Sequence, residues 1–194
     1  MHLKIGVDLD GTVADNLPLL TDTLNTYCGK KLRCEDINQY DLCGIYGISE
    51  ADFFSLMGTK EEEIISRCPL IPQAREYVEF LMRDGYQVHI ITARHPGYKQ
   101  ITERWLKDNG VPYSGLHLLN SHHKLDTCRK LGVSLMIEDN VHNAIQLEQG
   151  GVKTILFTAP HNRLWPWNGL RCRTWQDIYR TLQEILHSSL AATP

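Results

Sequence analysis

Short apolar runs recur along the chain at residues 3–7, 88–91, 116–119, 135–137 and 154–157, and each reads as a strand. The intervals between them carry apolar residues at helical spacing. Residues 73–84 set Val78, Leu81 and Met82 on one face and stop at Gly85; residues 98–109 repeat this with Ile101, Trp105 and Gly110. Two shorter helices are expected. One spans 121–131, from Ser121 as N-cap to Gly132, and the other spans 141–149, with Ala144 and Ile145 inward before Gly150 and Gly151. Near the end, Thr174 and Asp177 stand at capping-box spacing, and Ile178, Leu182, Ile185 and Leu186 continue at helical period before a frayed end at 191–194. Strands alternating with helices predict an open, mostly parallel α/β sheet.

One interval breaks the rhythm. About eighty residues separate the first two runs, against the dozen or so that a simple crossover needs. Leu17, Leu20, Leu24 and Tyr27 predict a helix there, capped by Asp15 or Asn16, with Pro18 in its first turn and Gly29 at its end. Residues 52–57 and 60–68 read as two further short helices, with Gly44, Gly47 and Gly58 as turn positions. Residues 15–68 are therefore expected to form a small helical cap inserted after the first strand, the core comprising 1–14 and 69–194.

Composition narrows the class of partner. Hydrophobic residues at 42% and charged residues at 22% of the 194 positions allow a sizeable core. Twenty Lys and Arg against 23 Asp and Glu leave a net charge of -3, which gives no field for a nucleic acid polymer or an anionic membrane, so a small substrate is expected. Two carboxylates interrupt the first apolar run and no later run is long enough to span a bilayer, which makes the cytoplasm the expected location. The six cysteines show no CxxC pair and read as reduced thiols; His122 and His123 are adjacent and would face different ways on a helix.

Ligands of open parallel sheets bind beyond the carboxyl ends of the strands. After the successive runs come Asp8 and Asp10, then Thr92 and Arg94, then Asn120 and Lys124, then Glu138 and Asp139. Side chains alternate along an extended backbone, so Asp8 and Asp10 point to one side and Leu9 to the other. Such a pair is unfavourable unless a cation neutralises it or one acid stays protonated. Asp139 from a neighbouring strand would complete an oxygen-rich site suited to Mg2+, with Lys124 balancing the remaining charge.

The segment DLDGTVAD at 8–15 resembles the first motif of phosphatases of the haloacid dehalogenase superfamily, and IITAR at 90–94, Lys124 and IEDN at 137–140 resemble the other three, in order. The resemblance implies a Rossmann-like parallel sheet with helices on both faces. It implies Asp8 as nucleophile forming an aspartyl-phosphate, and Asp10 as general acid and then base. It further implies Mg2+ held by Asp8, Asp139 and the backbone carbonyl of Asp10, with Thr92 and Lys124 gripping the phosphoryl oxygens. Exposed backbone amides around Leu9 to Thr12 and after Ile91, those of Leu9 and Ala93 among them, would complete the cradle. Arg94 would bind phosphate or pair with a surface carboxylate, and Glu138 would orient a metal-bound water or stand solvated beside Asp139. The second acid, Asp10, separates this pattern from that of the dehalogenases. The stretches NQYDL at 38–42, Gly47-Ile48-Ser49 and PWNGLRCRTW at 166–175 are similar to bacterial proteins of the 5'(3')-deoxyribonucleotidase group, which implies a nucleoside monophosphate substrate. Tyr40, Tyr46, Phe53 and Phe54 in the cap are then candidates to stack a base, while Trp165 and Trp167 are expected to pack the tail. A sugar-phosphate phosphatase, a phosphomutase or a non-catalytic phosphate-binding protein are the alternatives on this scaffold.

Overall fold

A computed structural model describes residues 3–191. Six parallel strands form one sheet: β1 (Lys4–Val7), β2 (Gln87–Thr92), β3 (Gly115–Leu118), β4 (Leu135–Glu138), β5 (Lys153–Phe157) and β6 (Leu170–Cys172), in the order β3-β2-β1-β4-β5-β6. The strand order reverses at β1, and a sheet of this kind opens its ligand crevice at that point. Strand β6 was not legible in the sequence, because three residues carry too little apolar pattern to stand out.

Helices cover both faces, because the strands are apolar on both sides. On one face α4 (Ala74–Arg83), α5 (Lys99–Asp108) and α8 (Trp175–Ala191) bury Val78, Leu81, Leu106, Trp175 and Ile178 against Ile5, Val7, Ile90 and Ile137. On the other, α6 (Leu125–Leu131) and α7 (Val141–Gln149) pack Cys128 and Leu147 against Ile91 and Met136. The Thr174 and Asp177 box starts α8: Asp177 N donates to Thr174 Oγ1 at 3.1 Å and Thr174 N to Asp177 Oδ2 at 3.1 Å. Helix α8 runs through Ala191, the first residue of the segment expected to fray; 192–194 and the side chain of Leu186 lie outside what is described.

Helix α6 is shorter than its sequence pattern predicts. Ser121 Oγ accepts from His123 N in a separate turn, and the helix begins only at Leu125, with Lys124 at its N-cap position. Unwinding these residues lets the Lys124 side chain turn into the sheet's carboxyl end instead of lying along a helix surface.

The inserted segment holds α1 (Leu17–Cys28), α2 (Leu42–Tyr46) and α3 (Glu50–Arg67) around its own apolar cluster of Leu24, Ile37 and Tyr46. Helix α1 ends where expected, at Gly29 with φ 65°. Helix α3 is a correction: the two short helices expected at 52–57 and 60–68 are one, continuous through Gly58. A glycine inside a helix costs only about 1 kcal/mol, and a Ser49 N-cap, a Glu63–Arg67 pair and buried Ile64 and Ile65 outweigh it. Trp105 Nε1 donates to Cys68 O at 2.9 Å, tying the end of the insert to α5, and Trp175 Nε1 donates to Thr12 O at 2.9 Å, tying α8 to the loop after β1.

Candidate active site

The backbone ladder continues one residue past β1, with Asp8 N donating to Ile137 O at 2.9 Å. The acid leaving β1 therefore meets the acids leaving β4. Lys124 Nζ lies 2.7 Å from both Asp8 Oδ1 and Glu138 Oε2, and it is fully buried. Glu138 is fully buried too, its Oε1 accepting from Asn140 N at 3.0 Å and Asn143 Nδ2 at 3.3 Å; the solvated reading of Glu138 is wrong for this reason. Asp139 Oδ2 stands 3.2 Å from His161 Nε2, and Asn162 Nδ2 donates to Asp139 O at 2.7 Å. Gly11 has φ 74°, and a Cβ there would overlap Asp139 Oδ2, so the turn of the first motif can approach the fourth only without a side chain.

The remaining expected residues divide. Thr92 ends β2 fully buried, its Oγ1 accepting from Arg94 N at 3.2 Å, and Ala93 follows half-buried. Leu9 N donates to Asp8 Oδ1 at 2.8 Å, while Gly11 N and Thr12 N bond within their own turn, so these amides serve the acid and the loop where a free cradle was expected. A buried carboxylate recruits the nearest donor. Of the two readings of Arg94, the structure shows a carboxylate partner: the buried guanidinium donates to both oxygens of Asp10, as a buried cation needs a partner for its charge.

Burial, followed by the charge of Glu138, raises the Asp8 pKa from 3.8 to about 7 against the opposing pull of Lys124. Burial also raises that of Asp139. Burial acts to lower the Lys124 pKa, but Asp8 and Glu138 outweigh it and hold the ammonium charged. Carboxylate oxygens of Asp8, Glu138 and Asp139 lie within 4.8 Å of one another, all buried. Three carboxylates whose negative charge Lys124 offsets only in part are oxygen donors suited to a hard dication.

The raised Asp8 pKa makes stability depend on pH. Between pH 3.8 and about 7 the native state keeps a proton that the unfolded chain has lost, so metal-free stability falls as pH rises through that window. A dication favours the charged carboxylate, so added Mg2+ should raise Tm more at pH 8 than at pH 5. Equal shifts at both pH values would remove Asp8 from the metal site.

Beside the acids, between the insert and the loop after β5, lies a cavity of about 480 Å3. Asp10, Gly11 and Asp139 reach its floor, and Leu17, Leu20, Phe53 and Phe54 line its walls. Tyr40 spans the gap from insert to core, its ring edge-on to His122 at 5.7 Å and His161 at 5.5 Å. Tyr46 is excluded from it: the residue is 2% exposed and its hydroxyl reaches Thr21 O and Asn25 Oδ1 inside the insert. Trp167 is half-buried against α7 as expected, whereas Trp165 remains exposed and meets His142 edge-on. His161 and Asn162 were missed in the sequence, although collecting the polar residues beyond the carboxyl end of β5, as for the other strands, points to them.

Among proteins of known sequence, the chain is 27% identical over 192 residues to a nucleotidase of Clostridium acetobutylicum, covering 98% of each chain. It is 26% identical over 186 residues to a 5'(3')-deoxyribonucleotidase of Bacillus subtilis, covering 94% of this chain and 99% of the relative. A solved haloacid dehalogenase-like family hydrolase of Streptococcus pneumoniae superposes with a TM-score of 0.68 at 14% identity, covering 94% and 99% of the two chains, and shows the shared fold. A family model described as "5' nucleotidase, deoxy (Pyrimidine), cytosolic type C protein" matches residues 2–188. With the ordered motifs converging at one end of a parallel sheet, this chain belongs to that nucleotidase family and has the haloacid dehalogenase-like hydrolase fold.

Proposed function

We propose that the protein is a Mg2+-dependent phosphomonoester hydrolase that acts through an aspartyl-phosphate on Asp8 and takes a nucleoside monophosphate as substrate. The observation that carries this reading is a buried carboxylate braced by a buried lysine, with Asp10 and Asp139 reaching the floor of an aromatic-walled cavity. The core, 1–14 and 69–194, would carry the chemistry and the cap, 15–68, would cover the leaving group; the separate apolar cluster of the insert supports this division. Among the described residues, no helix is long and apolar enough to cross a membrane.

Asp8 Oδ1 accepts from Leu9 N and Lys124 Nζ, so Oδ2 would be the oxygen that attacks phosphorus. Lys124 would offset the negative charge that gathers around the phosphoryl group, and Thr92 would donate its hydroxyl to a phosphoryl oxygen. Asp10 would give its proton to the departing alcohol and then take one from the water that opens the acyl-phosphate. Bound at Asp8, Asp139 and the Asp10 carbonyl, Mg2+ would supply electrostatic stabilisation of the phosphoryl oxygens. Glu138 would act indirectly, by fixing Lys124 and the turn at Asn140.

Leaving-group preference would come from the cavity. Phe53, Phe54 and Tyr40 offer flat apolar surfaces, whereas Asp15, Asp41 and Glu50 supply negative charge, and the described lining residues include no Lys or Arg. That lining favours an uncharged aromatic base over a leaving group with a second anion. The testing experiment is phosphate release from a panel of phosphomonoesters with Mg2+. A deoxynucleoside monophosphate should show the higher kcat/KM against ribose 5-phosphate. Phe54→Ala, at an exposed position with little structural role, should lower that preference by roughly 10-fold, since stacking contributes about 1–3 kcal/mol per base. Equal turnover of both substrates would end the nucleotidase reading and leave the phosphatase reading standing. An isomeric phosphate ester in place of inorganic phosphate would indicate a mutase.

A further inference from the structure

Arg94 lies two residues beyond β2, and its side chain is 4% exposed. Nε donates to Asp10 Oδ2 at 2.8 Å and Nη2 to Asp10 Oδ1 at 2.7 Å, a two-pronged contact across the sheet's carboxyl end. The third nitrogen, Nη1, donates to Thr102 Oγ1 on α5 at 3.1 Å, and Thr102 is fully buried. Three successive groups thus connect a core helix to the acid at the cavity floor.

We propose that Arg94 is a positioning residue that fixes the plane of the Asp10 carboxyl group for proton transfer to the leaving oxygen, with Thr102 as its brace. The proposal rests on Asp10 being the general acid of the proposed hydrolase. The terminal torsion of an aspartate is broad and nearly two-fold, so packing alone leaves the carboxyl plane loosely defined. A guanidinium fork defines it, because two parallel N–H donors require both oxygens to lie in the plane of the fork. Carboxylate oxygens offer about four lone-pair sites between them. The fork takes one on each oxygen and leaves the other lone pairs for the proton.

In the step concerned, Asp8 Oδ2 forms a bond to phosphorus as the ester P–O bond breaks. The bonding pair goes to the leaving oxygen, which takes the proton from Asp10. An aryl ester such as p-nitrophenyl phosphate releases a stable phenolate and needs no such proton. An alkyl ester does need it. Loss of positioning at Asp10 must therefore slow formation of the aspartyl-phosphate selectively from the alkyl ester, which kcat/KM reports, because the later hydrolysis that Asp10 serves as base is common to both esters; a phosphate-binding arginine would serve both esters alike.

The experiment measures kcat and KM with Mg2+ for a deoxynucleoside 5'-monophosphate and for p-nitrophenyl phosphate, on wild type, Asp10→Asn, Arg94→Met, Arg94→Lys and Thr102→Val. The ratio of the two kcat/KM values excludes the shared hydrolysis step and cancels the fraction of active protein, so partial misfolding of a variant does not obscure it. Arg94→Met should lower kcat/KM on the nucleotide by about 10²-fold, the scale of a small misplacement of a catalytic group, with kcat/KM on p-nitrophenyl phosphate changed by less than about 3-fold. Arg94→Lys should not rescue, since an ammonium is a point charge without the fork. Thr102→Val should shift the ratio in the same direction by a smaller amount. Equal losses on both esters together with weaker inhibition by inorganic phosphate would overturn the proposal in favour of phosphate binding by Arg94. An unchanged ratio in Arg94→Met beside a shifted ratio in Asp10→Asn would overturn it alone. An unchanged ratio in Asp10→Asn would overturn both it and the acid role of Asp10.

Discussion

Asp8→Asn is expected to abolish turnover while the protein stays folded. An amide has nearly the shape of a carboxylate, and its oxygen can still accept from Leu9 N and Lys124 Nζ, which contact Oδ1 at 2.8 and 2.7 Å. What it lacks is the nucleophilic anion that forms the acyl-phosphate. Loss of a covalent nucleophile lowers kcat by at least about 10⁴-fold. Burial already raises the Asp8 pKa to about 7, so a neutral side chain is tolerated there, and the metal-free variant should melt no lower than wild type at pH 8. Phosphate release and a circular dichroism melt, measured on the same preparation, test both parts. Activity near wild type would remove Asp8 as the nucleophile.

Lys124→Ala is expected to lose both stability and activity. Sequence reasoning assigns this lysine to balancing charge and gripping the phosphoryl oxygens. The structure adds a part in stability, because Lys124 is fully buried between Asp8 and Glu138 at 2.7 Å from each. Removing one member of a buried ion group leaves uncompensated charge and destabilises by about 3–5 kcal/mol. Two carboxylates would then face each other without their cation. Chemical denaturation should show the loss. Glu138→Gln introduced into Lys124→Ala should recover part of it, since neighbouring sites of one network are non-additive. A variant as stable as wild type, or a double variant that simply adds the two losses, would contradict this account of the cluster.

Most of the core was legible in the sequence because parallel strands buried on both faces are apolar throughout, and helices between them repeat at a period that glycines terminate. Five of the six strands and α4, α5 and α7 emerged within a residue or two. Failures came where one local signal was weighed without its packing. Gly58 looked like a turn, yet α3 passes through it because flanking residues of the helix are capped and buried. Ser121 looked like an N-cap, yet α6 starts four residues later so that Lys124 can reach the acids.

By itself the sequence determined the fold class and the list of chemical groups, since periodicity fixes which face of each element is apolar and the strand ends collect the polar residues at one edge. Tertiary structure alone decided how those groups are shared. Asp10 and Arg94 are 84 positions apart, and nothing in their local pattern shows that the arginine grips that acid. Tyr40 and Tyr46 are both aromatic residues of the insert, yet one lines the cavity and the other is buried in the insert's own core. Glu138 and Asp139 are neighbours in sequence, but the first pairs with Lys124 and the second meets His161. Local sequence sets propensity and facing, whereas the partner of a charged side chain depends on which distant atoms burial brings within about 3 Å, and that distance is fixed only when the layers pack.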